Sequence, residues 1–259
     1  ESLVSNVDRL FFRRNGQLKT EFDELYNAIF NNAERYVEIV RLLFENKQGM
    51  TFDEVARKTG IEGKRLTTVL RNLERCDFVM TYRQFGNKSR GTIYRLMDFY
   101  TLFYYKFVET HDGKDEVWWT HNSTTRGVEA WQGTSFELVC MTHLPQIKRA
   151  LGISGISTNA SSWRYVASKE APTVRGAQID LVIDRGDHVI NVCEIKFSKG
   201  RFALGLEYAE TVRNRIQLFR DKTGTTKATM CTFVTTFGVG EGLHNGVIDN
   251  EVVAEDLFV

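Results

Sequence analysis

The feature that most constrains this chain is a pair of apolar, β-forming runs in its second half. Residues 178–183 and 188–197 flank the polar tetrapeptide 184–187, and this arrangement predicts two strands joined by a hairpin turn. Three charged side chains interrupt the two runs, namely Asp180, Glu194 and Lys196. An ionised group in a buried strand costs several kcal/mol unless it is paired or bound to a metal. The hairpin is therefore the place where we expect the chemistry.

The relative position of the charged residues depends on the length of the turn. A three-residue loop, 185–187, places Asp180 opposite Val192 and makes Glu194 its diagonal neighbour on the same face, within ~8 Å. A loop of two or four residues would separate the two carboxylates onto opposite faces. Lys196 follows Glu194 by two positions, so a strand carries both side chains on one face.

Two carboxylates and a lysine on one face suit phosphate chemistry. Carboxylate oxygens bind Mg²⁺ or Mn²⁺, and the metal polarises a phosphate and lowers the pKa of a bound water. The lysine then orients the nucleophile or stabilises the transition state. The same residues fit a second interpretation, a structural ion pair between Lys196 and either Asp180 or Glu194. The spacing alone leaves both interpretations open.

The first half of the chain has the spacing of amphipathic helices followed by a hairpin. The predicted helices are 18–30, 34–46, a short helix from a capping box at Thr51 and Glu54 to about Lys58, and 64–76. Two β-like runs, 78–85 and 92–96, surround a glycine-bounded polar loop. This order predicts a winged helix-turn-helix whose third helix enters the major groove of DNA. A protein-interaction or spacer module is the alternative.

A basic segment coincides with the predicted winged helix. Residues 57–95 hold ten Lys or Arg and only three Asp or Glu, although the net charge of the chain is +1. Such an excess of cations is the electrostatic footprint of binding to a phosphate backbone. The candidate DNA contacts lie on the third helix and on the hairpin loop: Lys64, Arg65, Arg71, Arg75, Lys88 and Arg90.

Composition excludes several classes of protein. No apolar stretch approaches the ~20 residues of a membrane span, and the N-terminus has no secretory signal pattern, so we expect no membrane partner. The four cysteines form no CxxC pair, which argues against a structural zinc site and favours a reducing cytoplasm. The chain begins with Glu1 rather than Met, so we expect it to be a piece of a longer protein.

The charged residues of the hairpin also carry a resemblance to a known family. Asp180, followed by Glu194-x-Lys196 on the next predicted strand and preceded by Glu137 on a predicted helix, resembles the signature of the PD-(D/E)xK nuclease superfamily. Glu137 ends the sequence Gly-Thr-Ser-Phe-Glu, which is similar to the start of that superfamily's first core helix. The resemblance implies that Glu137, Asp180 and Glu194 bind a divalent metal and that Lys196 assists the attacking water. It also implies that polar residues on the helix after the third strand face the site, here Arg213, Arg215 and the candidate catalytic residue Gln217.

Over its full length the chain resembles the C-terminal part of bacterial and archaeal AAA-like ATPases, which end in a winged helix and a nuclease-like domain. The stretches that carry this resemblance are 8–12, 94–100, 133–137 and 176–181. The expected organisation is a linker or helix remaining from a preceding domain (1–33), a winged helix with its connecting helix (34–108), a connection (109–130) and a nuclease-like domain (131–259). The sequence G-x-x-x-x-G-K-[ST] is absent, so we expect no ATP site in this chain. An ATPase motor would precede Glu1 or belong to a partner.

We therefore predict an α/β fold, α+β overall, with an N-terminal winged helix-turn-helix. A restriction-endonuclease-like domain follows it, with a mixed sheet flanked by helices. The predicted function is that of a cytoplasmic, DNA-binding nuclease that depends on Mg²⁺ or Mn²⁺. The alternative is a catalytically inactive platform that docks DNA or a protein partner for an ATPase.

Overall fold

The computed structural model describes residues 2–86, 91–167 and 176–259. It has the predicted mixed α/β fold, and it divides into two compact units. The first unit holds the residues up to 81 together with 91–131, and the second holds 132–259 with a short segment that begins at Tyr82. Within the described residues, no helix combines the length and the apolar character needed to cross a bilayer.

The first unit is built mainly from helices. These are α1 (Leu3–Val7, continued by a π-helical turn Asp8–Phe12), α2 (Glu21–Ile29), α3 (Ala33–Glu45), α4 (Phe52–Thr59), α5 (Gly63–Arg75), α6 (Phe99–Phe103, continued by a π-helical turn Tyr104–Val108), α7 (Trp118–Asn122) and the start of α8 (Arg126–Thr142). The strands β1 (Met50–Thr51), β2 (Val79–Arg83) and β3 (Thr92–Leu96) form a small sheet in the order β1-β3-β2.

Helices α4 and α5 are joined by a short turn, and local hydrogen bonds fix both ends of α4. The capping box is present at α4: the Thr51 hydroxyl accepts from the Glu54 amide at 3.3 Å, and the Glu54 carboxylate accepts from the Thr51 amide at 2.8 Å. Helix α4 ends at Gly60, whose φ of +68° lies in the left-handed region that glycine adopts without strain. The predicted inward stripe of α5 is confirmed, because its buried residues are Leu66, Val69, Leu70 and Leu73.

The order α3-β1-α4-α5-β2-β3 is the order expected of a winged helix, and membership of that family stays a prediction. The loop between β2 and β3 is the predicted wing, and its cations Lys88 and Arg90 lie outside the described residues. The predicted connecting helix over 98–108 is present as α6 and its π-helical turn, and its buried residues include Phe103, Tyr105 and Phe107.

The predicted limits of the first domain need correction. The sequence predicts a linker or a helix remaining from a preceding domain over 1–33, but within 2–33 Phe22, Tyr26 and Phe30 are buried in one apolar core with α3, α4 and α5. Residues 109–130 are not a simple connection either. Trp119 and Val128 are buried with Phe12, Phe103 and Phe107 in a second aromatic cluster. Large aromatic side chains make burial of these segments favourable. The charged and loop-forming residues of the same segments do not indicate that burial in the sequence.

A buried carboxylate joins the two ends of this unit. Asp8 is 1% exposed and accepts from the amides of Trp119 at 2.7 Å and Thr120 at 3.1 Å, and from the Thr120 hydroxyl at 2.5 Å. These amides belong to the first turn of α7, whose N–H groups have no partner inside the helix. Asp8 therefore caps α7 from a distant part of the chain.

The second unit is a five-stranded sheet with helices on both faces. Its strands are β4 (Thr158–Tyr165), β5 (Ala177–Arg185), β6 (Val189–Lys196), β7 (Ala228–Thr235) and β8 (Asn250–Val253), in the order β4-β5-β6-β7-β8. Strand β5 is antiparallel to both of its neighbours, β4 and β6, whereas β6, β7 and β8 run parallel to one another. The later part of α8, helix α9 (Leu144–Ala150) and a 3₁₀ turn pack on one face through Phe136, Ile147 and Leu257, while α10 (Leu206–Thr223) packs on the other through Val212 and Phe219. This confirms the predicted mixed sheet flanked by helices.

The β5–β6 hairpin has a different register from the predicted one. Val182 pairs with Val192 and Asp184 pairs with Ile190, so the placement of Asp180 opposite Val192 is wrong. The loop is one residue further along the chain, because His188 adopts a left-handed conformation (φ +65°) as the last of three loop residues. The paired register ends at Leu181 opposite Cys193, and β5 is irregular between Ile179 and Val182 in its pairing with β4. Ile179 and Val182 pack in the same apolar cluster although they are three residues apart, so the alternation of the pleat does not continue through Asp180. The placement of Asp180 on the face of Glu194 therefore stays a prediction.

Candidate functional site

The candidate site is centred on the Glu194 carboxylate, which three side chains contact. Glu194 lies in β6 on the face that α10 covers, and it is 9% exposed. Its Oε1 atom accepts from the Tyr208 hydroxyl and lies 3.2 Å from the Lys196 Nζ. Its Oε2 atom accepts from the Arg215 guanidinium. Both carboxylate oxygens are thus engaged, and two cations share one buried carboxylate.

Strand and helix periodicity together explain why these four residues meet. Lys196 lies two residues after Glu194, so the pleat of β6 presents both on one face. Tyr208 and Arg215 are seven residues apart in α10, which is two helical turns. They share a stripe with Val212 and Phe219, the buried residues that pack α10 on the sheet. Packing of this stripe brings the phenol and the guanidinium onto Glu194.

The charges in this cluster support one another. Burial lowers the pKa of Lys196, but the Glu194 charge and the Tyr208 hydroxyl outweigh it, so the net pKa lies above the usual lysine value. Burial and the adjacent Glu194 charge raise the pKa of Tyr208. The Lys196 Nζ also lies 4.8 Å from the centroid of the Tyr208 ring, a cation–π contact. Near neutral pH, therefore, Lys196 is a cation and Tyr208 a neutral donor.

Asp180 lies in the irregular part of β5. It is half-buried, and its Oδ1 atom accepts from the Gln178 side-chain amide at 2.6 Å. The structure brings Lys196 to Glu194, as the hairpin analysis predicts. The grouping of Asp180 with these two residues stays a prediction, because the paired part of the hairpin ends at Leu181 and Cys193.

Glu137 and Gln217 lie in different surroundings. Glu137 is half-buried in α8, next to Phe136 and three residues before Cys140, and these two neighbours pack on the sheet face opposite to α10. Burial first, and then the Glu137 charge, raise the pKa of Cys140 to about 12. Gln217 is exposed on α10 and donates to Asp221 at 2.8 Å. Their roles as a metal ligand and as a catalytic residue stay predictions.

A divalent cation stays a prediction for this cluster. Within the described ranges there is no set of three His, Cys, Asp or Glu side chains placed to hold a metal. Mg²⁺ commonly binds through one or two carboxylates together with waters and phosphate oxygens. Both oxygens of Glu194, however, are engaged by Tyr208, Lys196 and Arg215.

Two contributors to the cluster lie outside the predicted site residues. Tyr208 is absent from the sequence-based site, and Arg215 enters it only as a polar residue on the helix after the third strand. The available signal is their spacing of seven on a helix that also carries Val212. A polar residue on an otherwise apolar stripe needs a buried partner, and Glu194 is that partner.

A second candidate surface lies on α5. Lys64, Arg71 and Arg75 follow a spacing of seven and four, so they lie on the side of the helix opposite to Leu66 and Leu73. All three are exposed, and so is Arg65, which lies between this side and the buried stripe. Within the part of the chain that the structure describes, the side chains of these four cations have no hydrogen bond or ion pair with a protein group. They are free to bind an anionic ligand.

Comparisons with known proteins add little to these observations. No family model matches the chain, and no curated protein matches it. Among solved structures, it is similar to the crystal structure of a protein of unknown function, AF1548, at 21% sequence identity and a TM-score of 0.31. The similar region covers 44% of this chain and 56% of that chain. No functional property is transferred at this level of similarity.

Proposed function

We propose that this protein binds DNA through its first unit and hydrolyses phosphodiester bonds with a divalent metal in its second unit. The observation that carries the proposal is the β5–β6 hairpin. Glu194 and Lys196 lie on one face of β6, and their charged groups are 3.2 Å apart. A carboxylate with an adjacent lysine on a partly covered sheet face, joined by Asp180 of the neighbouring strand as the resemblance implies, would have the groups that metal-assisted phosphate hydrolysis requires.

Each group would have a separate task. Asp180 and Glu194 would hold Mg²⁺ or Mn²⁺, which supplies polarisation of the phosphate and a water of lowered pKa when bound. Lys196, fixed by the Tyr208 ring and by Glu194, would stabilise the negative charge that develops on the phosphate. Tyr208 would hold the Glu194 carboxylate in place through its hydroxyl.

The order of elements agrees with the resemblance to the PD-(D/E)xK superfamily. Helix α8 carries Glu137, strands β5 and β6 carry Asp180 and the Glu194–Lys196 pair, and α10 follows the third strand. The AAA-like ATPase, as a preceding domain or as a partner, rests on the same resemblance and is part of the proposal.

A second candidate function is a docking platform without turnover. It is favoured by one observation, the engagement of both Glu194 oxygens by Tyr208, Lys196 and Arg215. A carboxylate so fully engaged can be purely structural. In that case the second unit would support binding of DNA, or of a protein partner of an ATPase, and catalyse nothing.

A cleavage assay with Asp180→Asn separates the two functions. We expect the parent protein to cut labelled duplex or branched DNA with Mg²⁺ or Mn²⁺, and Asp180→Asn to be slower by about a hundredfold or more. Asp221→Asn is the matched control, because Asp221 is exposed at the end of α10 and bonded to Gln217. A parent protein that binds metal and DNA but cuts no substrate would support the platform instead.

The DNA surface is tested by the salt dependence of binding. The double variant Arg71→Glu, Arg75→Glu should bind DNA more weakly. The slope of log K against log[salt] should fall in magnitude by about 0.9 for each phosphate that the variant no longer neutralises. Arg126→Glu is the control, since Arg126 is exposed in the same unit but lies on α8. An unchanged slope in the double variant would remove α5 from the DNA interface.

A further inference from the structure

A surface cavity of about 320 Å³ lies beside the turn that joins α4 to α5. Two arginines from different helices line it, Arg35 from α3 and Arg65 from α5. Gly60, Ile61 and Glu62 of the turn complete the lining. Because a water molecule takes about 30 Å³ in the liquid, the cavity has room for one phosphate group together with several waters.

The two guanidinium groups of this cavity are not engaged by the protein. Both side chains are exposed. Within the part of the chain that the structure describes, they form no hydrogen bond, ion pair or cation–π contact. Glu62 lines the same cavity, and among the described residues it too has no ion pair. Each guanidinium therefore keeps its five N–H donors for a ligand.

We propose that Arg35 and Arg65 together bind one phosphate group of DNA, so that the DNA surface of the first unit extends from α5 to α3. The inference rests on the proposed binding of DNA by α5. It adds Arg35, which the sequence-based set of DNA contacts does not contain. A phosphodiester has two unesterified oxygens with several lone pairs each, so it can accept from two guanidiniums that approach from different helices.

The formal charges of the cavity favour a phosphodiester as the ligand. Arg35 and Arg65 contribute two positive charges and Glu62 one negative charge, so the single negative charge of a phosphodiester balances the remainder. Arg65 also lies between the exposed row of cations on α5 and the buried stripe that packs in one core with α3. It is therefore the residue through which the α5 surface reaches Arg35.

The experiment measures the affinity of the whole chain for a DNA duplex by fluorescence anisotropy, over a range of salt concentrations. Arg35→Gln and Arg65→Gln should each bind about tenfold more weakly than the parent, since a charge-assisted hydrogen bond is lost. The double variant should be little weaker than either single variant, because both arginines bind the same phosphate. Its slope of log K against log[salt] should fall in magnitude by about 0.9, the value for one phosphate contact.

Two further variants control for the change of charge. Lys47→Gln removes an exposed cation that follows the end of α3 and does not line the cavity, and it should bind like the parent. Glu62→Gln removes the carboxylate of the cavity and should bind about threefold more tightly, because the phosphate no longer meets a like charge. The substituted side chains are all exposed, so each variant should melt at the temperature of the parent.

The outcomes separate this inference from the proposed function. If Arg35→Gln binds DNA like the parent while Arg71→Glu, Arg75→Glu binds more weakly, Arg35 is not part of the DNA surface and the role of α5 stands. A double variant in which the two losses multiply, with a slope lower by about 1.8, would indicate two separate phosphates and overturn the shared site. If inorganic phosphate raises the melting temperature of the parent but not of Arg35→Gln, while both bind DNA equally, the cavity takes a free anion instead. A parent protein that binds no DNA removes the inference and the α5 surface together.

Discussion

The two units place their cations in opposite ways. In the first unit, Lys64, Arg71 and Arg75 point away from the buried stripe of α5 and are exposed. In the second, Lys196 of β6 and Arg215 of α10 are partly covered where the helix packs on the sheet, and both bind Glu194. An exposed cation keeps its hydration and can bind an anion at once, whereas a covered cation requires a carboxylate partner. Exposed cations and covered ion pairs therefore need different surroundings, and this chain has them in separate units.

The largest expected effect concerns the apolar side of α5, which holds this helix and its exposed cations in place. Leu73 is fully buried in α5, and Leu73→Ala should lower the free energy of unfolding by about 2–5 kcal/mol, because buried methyl groups are removed and a cavity remains. Arg75→Ala, two residues further along the same helix and exposed, should change it by less than about 0.5 kcal/mol. Urea unfolding measures both. If Leu73→Ala is as stable as the parent, the assigned orientation of α5 is wrong.

The second prediction tests whether the cations of the second unit depend on their carboxylate. Glu194→Gln leaves Lys196 and Arg215 without a counter-charge. We expect a loss of about 2 kcal/mol, less than the 3–5 kcal/mol of a fully buried pair, because these side chains keep 33% and 22% of their exposure. The isosteric control Glu207→Gln, in the exposed first turn of α10, should be near neutral. If the parent and Glu194→Gln are equally stable, the covered cations of the second unit do not depend on their carboxylate partner.

Alkaline pH tests a further buried polar group of the first unit, the tyrosine hydroxyl. Unlike the covered cations of the second unit, these hydroxyls are neutral until the pH is high. Burial is the main cause that raises the pKa of Tyr26, Tyr100 and Tyr105 above the usual value. The unfolded chain then loses these protons first, so stability is full below about pH 10 and falls above it, by up to about 1.4 kcal/mol per pH unit for each tyrosine. Urea midpoints between pH 8 and 11 test the slope.

Tyr26→Phe is the variant that identifies the group responsible. It removes one of the buried phenols and should make the alkaline decline shallower. It should also cost some stability at neutral pH, because the buried Thr101 hydroxyl loses its 3.0 Å hydrogen bond to Tyr26. A parent protein whose stability is constant up to pH 11 would contradict the burial of these phenols.

The smallest expected effect concerns the capping box of α4. Thr51→Ala removes the hydroxyl that accepts from the Glu54 amide, and we expect a loss of about 1 kcal/mol. Thr67→Ala is a suitable control, since Thr67 is exposed within α5 and bonds only a carbonyl of its own helix. Thermal unfolding of the two variants checks the difference, and equal melting temperatures would show that this cap contributes nothing.

Local patterns in the sequence predict the helices and strands well. The inward stripe of α5 and the capping box of α4 follow from spacings of three and four residues, which match the period of a helix. The mixed sheet flanked by helices also follows, because apolar strand runs and amphipathic segments alternate along the chain.

Features that depend on one backbone conformation or on distant packing are harder to predict. The left-handed conformation of His188 accompanies a hairpin loop that lies one residue further along the chain, so that Asp184 pairs with Ile190 rather than with His188. The meeting of Tyr208 and Arg215 with Glu194 depends on how α10 lies on the sheet. The aromatic residues of 1–33 and 109–130 find their places only in the folded core. None of these relations has a fixed spacing in the sequence.

The capping of α7 by Asp8 has a consequence for how the first unit folds. Asp8 and Trp119 are 111 residues apart in sequence, and closure of so long a loop costs entropy that grows with its length. Helices α4 and α5 are joined by a short turn, so their contacts can form while the chain is still being synthesised. The segment around Asp8 must wait until Trp119 and Thr120 have left the ribosome. We therefore expect α1, although it is made before the other helices, to dock last.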